Sequence, residues 1–240
     1  MPVAPQDQAL YNVVSSPVPT KIEGVIQRMQ QIDDSVSVTD GLKWFNGLYL
    51  SVTREIDLRP LDGWKDSTWL MNLDVVFAAF YFRALAGFLS GDSTVPRSWI
   101  AMLEARHRGG VDRIQFALAG MNAHINHDLA LALLRVAEQT GVAPEVGSPQ
   151  HIDYQAVNLM LNSLMPSTLQ VLATDTLGML AQDTGKIGRL LAFWDICHAR
   201  DLAWDFAGHL RMLPSAVRPA ALGVQDELTG ALGRAILAFC

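Results

Sequence analysis

The sequence predicts an all-α fold, a single-domain bundle of about eight or nine helices around a central buried helix. Three observations carry this expectation. Apolar residues recur at three- and four-residue steps along most of the chain. No run alternates apolar and polar residues as a half-buried strand would. Apolar residues also make up 50% of the 240, against 18% charged, a balance that suits long buried helices or a greasy cavity. At this length a domain hides roughly 70% of its unfolded surface, enough for a core and a lined pocket.

Taken in order, residues 1–19 contain Pro2, Pro5, Pro17 and Pro19 and keep no sustained period, so they read as a flexible N-terminal arm. Residues 20–240 read as one helical domain. Thr20 and Glu23 have capping-box spacing and open a helix to about Asp33. In the next helix Phe45, Leu48, Tyr49, Val52 and Ile56 share one face. The loop "DLRPLDGWKDS" leads to the central helix, about residues 68–89. Pro96 suits the start of a helix to about Arg106. "HRGGVD" breaks it, and a long helix runs over about 113–139, closed by Gly141. Ser148 and Pro149 open the next helix, which Pro166 is expected to end. Further helices are expected at about 167–182, 186–212 and 215–238.

Charge and cysteine usage exclude several classes. The net charge is −6, and the four lysines, Lys21, Lys43, Lys65 and Lys186, form no basic stripe, so nucleic acid is not an expected partner. Cys197 and Cys240 are too few for a disulfide framework, and no cationic start with an apolar run marks a signal peptide. The cytoplasm is the expected compartment. Residues 69–89, "WLMNLDVVFAAFYFRALAGFL", have the length of a membrane span but carry Asn72, Asp74 and Arg83. Each central charge costs roughly 2.5–3.5 kcal/mol on insertion. A buried bundle helix is the better reading, and no membrane is expected.

The stretch "GMNAHINHDLALAL", residues 120–133, does not fit its surroundings. At 3.6 residues per turn His124 and Asp128 stack on one face, while Asn122 and Asn126 stack on another about 160° away. His127 can flank Asp128. Leu118, Met121, Ile125 and Leu129 lie between the stripes, so one stripe must be buried or line a cavity if the helix is central. Three readings stand: a solvent face, a buried structural network, and a functional site. A solvent face would more naturally carry Glu, Lys or Gln than asparagine.

Other polar residues interrupt apolar surroundings. Asp74 breaks the most apolar helix and is expected to be buried and paired with an arginine, such as Arg54, or with the polar cluster. In "FWDICHARDLAWDFAGHL", His198 with Asp195 or Asp201 could supply metal ligands, although a charged helix face explains the spacing more cheaply. There is no GxSxG elbow, phosphate-binding loop, dinucleotide fingerprint or HExxH pair. Acid–base chemistry by a lone histidine remains open.

The strings "LKWFNGLYLSVTREI", "LDVVFAAFYFRAL", "VPRSWIAMLE" and "QFALAGMNAHINHDLALAL", in this order, resemble a bacterial family catalogued as domain of unknown function 5995. The resemblance covers about residues 38–210. Its most specific element is an Asn-Ala-His-Ile-Asn-x-Asp-Leu string, met by Asn122, Ala123, His124, Ile125, Asn126, Asp128 and Leu129. The resemblance implies that Asn122, His124, Asn126 and Asp128 belong to a site. It says less for His127, at the variable position, and nothing for His198, which is particular to this chain. Asp74, Tyr49 and Thr53 also resemble family positions. The family name implies no reaction.

The leading expectation is a small-molecule enzyme of cyclase, isomerase or lyase type, working without a cofactor. His124 is the expected acid–base group, oriented by Asp128. Asn122 and Asn126 are expected to hold a carbonyl or oxyanion, with Asp74 and Tyr49 also at the substrate. Trp44, Phe45, Phe77, Phe80 and Tyr81 are expected to wall a pocket for an apolar, polyketide- or terpenoid-like partner. One alternative is a hydrolase or oxygenase with a divalent metal ion on His124, Asp128, His127 and His198. Another is a binding module without turnover. A homodimer is allowed.

Overall fold

The structure, a computed structural model, describes residues 3–173 and 195–238. After a 3₁₀ turn at Pro5–Asp7 come α1 (Gln8–Val14), α2 (Ile22–Ser35), α3 (Leu42–Leu58) and a second 3₁₀ turn, Leu61–Gly63. Next are α4 (Ser67–Ser90), α5 (Arg97–Ala105), α6 (Arg113–Ala123), a π-helical turn at His124–Asp128, and α7 (Leu129–Thr140). The chain continues through α8 (Pro149–Ala173), α9 (Ile196–Met212) and α10 (Arg218–Ala238). No strand occurs among the described residues, and the all-α bundle agrees with the sequence pattern.

The caps explain several boundaries. The Asp66 side chain accepts the Trp69 N–H at the start of α4, and Asp153 of α8 accepts the N–H groups of Lys65 and Asp66. Gly91 and Gly141 close α4 and α7 in the left-handed region, at φ 74° and 69°, where a side chain would be strained. The Ser148 hydroxyl accepts the His151 N–H where α8 begins.

Four expectations need correction. The arm is not loose where it is described, because α1 buries Leu10 and Val14 and Asp7 pairs with Arg106 at 2.8 Å. Its apolar stripe spans barely two turns, too short for a period to show. The Thr20–Glu23 capping box does not form, and α2 starts one residue past Lys21 with no side-chain cap. Pro166 does not end α8, which continues to Ala173. A proline inside a helix removes one N–H and strains the turn before it without having to end the helix. Finally, the helix expected at 113–139 is interrupted by the π turn. The remainder of the helix expected at 167–182, the start of that at 186–212, and Cys240 lie outside the described residues.

Around the π turn the bundle closes. Helix α3 packs between α2 and α6, while α10 packs on α5 and α6. Helix α9 packs on α7 and α8, and α4 runs along α1, α2, α5, α7 and α8. Helices α4, α9 and α10 all reach the π turn itself. Among the described residues α4 is the one helix long and apolar enough to cross a membrane, and half of its most apolar window is buried within the bundle. At the far corner Arg106, buried, bridges Asp40 and Asp7 and so ties the segment before α3 and the start of α1 to the end of α5.

One close approach sets the position of the site. A Cβ on Gly120 of α6 would overlap the Phe45 ring of α3, which lies directly on the helix backbone. Gly120→Ala should therefore lower stability by about 1–3 kcal/mol through overpacking. This loss is expected even though alanine is the better helix former by about 1 kcal/mol. Urea unfolding measures it, and a variant as stable as the parent would show that α3 and α6 separate without cost.

Candidate functional site

The polar string occupies the π turn. The Leu129 N–H reaches back to the His124 carbonyl, a five-residue span that widens the helix by one residue. Such turns often mark functional sites because they add a residue without ending the helix. The apolar positions suggest why it forms here. Met121, Ile125, Leu129 and Leu133 follow one another at four-residue steps, and each such step drifts roughly 40° in a regular α-helix. A wide turn absorbs that drift and keeps all four residues buried.

The asparagine stripe faces α10. Asn126 Nδ2 donates to Asn122 Oδ1 at 2.9 Å, and Asn122 Nδ2 donates to the Thr229 carbonyl at 2.9 Å. Gln225 Nε2 donates to the Asn126 carbonyl at 2.7 Å. Asn122 is fully buried with both ends of its amide occupied, so the pair ties the π turn to α10. It does not face the cavity described below, contrary to the expected carbonyl-binding role.

The other stripe is organised by Asp128, whose carboxylate is buried. Oδ2 accepts the Trp99 indole N–H at 2.8 Å and pairs with His124 Nδ1 at 3.0 Å. Oδ1 pairs with His127 Nδ1 at 2.8 Å. Burial pushes the carboxyl pKa up, but the hydrogen bonds from His124 and His127 outweigh it and hold Asp128 below the usual carboxylate range. An ionised carboxylate only accepts, so each histidine must present a protonated Nδ1 to it. For His124 burial is the largest effect and lowers the pKa despite Asp128, which favours the neutral ring. Its Nε2 then carries a lone pair, and that atom is buried without a partner among the described residues.

His124 lines a cavity of about 50 Å³ together with Tyr49, Phe77, Ile125, Ile196 and Arg200. Its ring lies flat on Phe77, centroids 3.5 Å apart and planes 4° from parallel. Tyr49 meets it edge-on at 4.6 Å and Phe45 at 5.8 Å. This volume holds a few waters or a few heavy atoms. It is far below the roughly 300–1,000 Å³ of a drug-sized site, so a polyketide-sized body does not fit the cavity as it stands.

The other expected residues divide. Tyr49 and Phe77 join His124, as does Phe45. Trp44 instead lies beneath Arg113, 4.3 Å from the guanidinium, and Tyr81 packs behind Phe45 with its hydroxyl donating to Asn46. Phe80 sits beside Arg83. Asp74 stands one turn before Phe77 on α4 and is half-buried, with Oδ2 buried and unpartnered among the described residues. Arg54 does not reach it and donates to Gln30 instead. Burial raises the Asp74 pKa to about 7, with Arg200 pulling the other way. The Tyr49 phenol is pushed well above its ordinary value, first by burial and then by the Asp74 and Asp128 charges.

The four ligands of the metal alternative are not gathered. His127 turns away from His124, with Nε2 3.8 Å from Asp226. Burial lowers its pKa, but the bond to Asp128 and the charges of Asp128 and Asp226 outweigh this and raise it. His198 is exposed near the start of α9. Among the described residues no group of three or more His, Cys, Asp or Glu side chains is placed to hold a metal ion.

Sequence reasoning missed Trp99 and Arg200. Trp99 lies 29 positions from the carboxylate it binds. Arg200 is hidden within a charged run, yet it shares the buried phase of Ile196, Ala203 and Ala207 on α9, and that phase was its signal.

A family model described as "Family of unknown function (DUF5995)" matches residues 22–239, so the chain belongs to that family. No curated protein and no solved structure matches it.

The raised pKa of Asp74 has a measurable consequence. Its native value of about 7 lies above the ordinary 3.8, so the fold prefers the protonated carboxyl. That contribution is complete below about pH 4 and is lost as pH rises through about 7. Asp74→Asn cannot ionise. It should melt with the parent at about pH 4 and a few degrees above it at about pH 8, the gain being reduced by solvent around a half-buried group. Thermal melts at the two pH values check this, and a variant no more stable at the higher pH contradicts the assignment.

Proposed function

We propose that this member of the DUF5995 family is a metal-independent acid–base enzyme of the isomerase, cyclase or lyase type, with His124 as its proton-transfer group. One observation supports the reading above the others. The imidazole is fixed through Nδ1 by a buried carboxylate while Nε2 is left with a lone pair at a cavity. Burying a polar atom without a partner costs roughly 1–3 kcal/mol, and a substrate proton removes that cost.

The chemistry follows from the geometry. Nε2 takes a proton from a substrate carbon or hydroxyl, and the ring becomes imidazolium. Asp128 then holds a charged partner through the hydrogen bond already in place, and the face of Phe77 lies 3.5 Å from the new cation. Returning the proton to another atom completes an isomerisation, and passing it to a leaving group completes an elimination. Among the described residues no serine or cysteine lines the cavity, so a covalent acyl route lacks its nucleophile. A general base supplies about 10²–10⁴-fold, and the remainder falls to positioning in the cavity.

A second reading has its own support. Asp128 joins α5 to the π turn through three donors, as a purely structural network would. The two readings separate at His124. Candidate carbonyl compounds incubated in deuterated buffer should lose proton-resonance intensity beside the carbonyl when the protein is present. His124→Gln should abolish that exchange, a loss of about 10²-fold or more, while melting within a few degrees of the parent. The structural reading predicts a lower melting point and an exchange loss that tracks the unfolded fraction.

The pH dependence is a separate check. The neutral ring is the base, and its pKa lies below the ordinary 6.5 because of burial. Exchange should therefore rise with pH up to a point below 6.5 and be level by about pH 7, the sign expected of a base with a depressed pKa. A limb that rises only above neutrality would assign the proton to another group.

A further inference from the structure

We infer that the cavity takes a carboxylic acid, with Arg200 holding the carboxylate while His124 works on the atoms beside it. The inference rests on the reading of His124 as a base and adds the class of substrate. Arg200 is buried on α9 and lines the same cavity as His124. Its side chain is fixed from α8: Nε donates to Asn158 Oδ1 at 2.5 Å and Nη2 to the Tyr154 carbonyl at 3.3 Å. The guanidinium lies 4.3 Å from the Tyr154 ring, and the Tyr154 hydroxyl donates back to the Arg200 carbonyl.

None of these contacts is with a counter-charge. An arginine has five N–H donors, and two are used here. Among the described residues Nη1 has no hydrogen bond, and no carboxylate lies within 4.0 Å of the guanidinium. The neighbouring Asp201 is engaged by Gln155 and Asn158. Elsewhere in the chain, Arg106 is buried to the same degree and takes two carboxylates, those of Asp40 and Asp7. Arg28, also buried, turns to the carbonyls of Ser16 and Pro17 and lines none of the His124 cavity. Arg200 combines a buried charge, a rigid mount, an open side and a cavity. A carboxylate matches the fork of a guanidinium in two parallel bonds.

The remaining walls narrow the class. Apart from Tyr49, His124 and Arg200 they are apolar, including Leu48, Val52 and Met121. A volume of about 50 Å³ admits the acid and one or two carbons beside it, so the rest of the chain is short or projects from the mouth. Asp74, held protonated up to about pH 7, adds no full negative charge to oppose the ligand at neutral pH. The ligand is a short aliphatic acid or the acidic end of a longer one.

Binding can be tested without turnover. Butanoate and hexanoate are titrated into the whole protein at pH 7 against the matched amides, butanamide and hexanamide. Calorimetry and the imidazole nitrogen shifts of His124 report the outcome. The acids should bind at least about tenfold more tightly than the amides, as a charge-assisted pair requires, and should move the His124 signals. Arg200→Gln should remove the preference, while Arg200→Lys retains part of it. His124→Gln should keep the preference while losing proton exchange, so a parent that binds acids but shows no exchange overturns only the catalytic reading. Equal affinity for acid and amide overturns the inference. So does acid binding that leaves His124 unmoved, or no binding up to about 10 mM, the range of the weakest specific complexes. If Arg200→Gln does not fold, the acid–amide comparison on the parent decides alone.

Discussion

A buried carboxylate must find donors, and in this protein the Asp128 carboxylate finds three. Trp99 supplies one from α5, and the two histidines of the π turn supply the others. Leaving any of these groups unpaired would cost roughly 1–3 kcal/mol, so the set forms or fails together. Consequences follow outward from it. Both imidazoles are fixed in tautomer, α5 is tied to the π turn, and the His124 ring is set flat against Phe77. Because Asp128 occupies Nδ1, Nε2 has nowhere to turn but the cavity. The free atom on which the proposed chemistry rests is thus a by-product of satisfying a charge elsewhere.

The polar string does two jobs on two faces, which explains why neither a solvent stripe nor a single site accounts for it. Toward α10 the Asn122 amide is closed at both ends, by Asn126 and by the Thr229 carbonyl, and Gln225 holds the Asn126 main-chain carbonyl. Toward the centre, His124 and Asp128 leave one nitrogen open. A regular helix drifting roughly 40° per four-residue step would carry these faces out of alignment with their partners, and the π turn corrects the drift where the polar groups sit. The wide turn therefore places the site and holds the bundle together through the same backbone.

Short-range geometry was legible in the sequence and long-range pairing was not. The four-residue spacings of His124 with Asp128 and Asn122 with Asn126 gave both contacts, since neighbours on a helix face are fixed by the chain itself. The left-handed closure at Gly141 and the opening of α8 at Ser148 were readable for the same reason. Trp44, by contrast, went to Arg113 and not to the cavity, because which of two adjacent aromatics points inward depends on where α6 lies. Among the described residues Asp74 meets no arginine at bonding distance, and Arg54 donates to Gln30 on α2. The π turn was visible only as three successive four-residue steps, a pattern that a regular helix tolerates when its face is broad.

The electrostatic states around the cavity are mutually consistent. Burial drives the His124 ring neutral and keeps the nearby Asp74 protonated up to about pH 7. It also raises the Tyr49 phenol far out of range. Each of these groups escapes the cost of a buried charge by giving up its charge. A guanidinium carries its charge throughout. Among the described residues lining this cavity Arg200 is the charged one, beside an imidazole and a phenol that burial keeps neutral. The ionised Asp128 lies behind the imidazole, where its charge is taken up by its own three donors. That imbalance, a guanidinium facing neutral walls, is what favours an anion in the proposed complex.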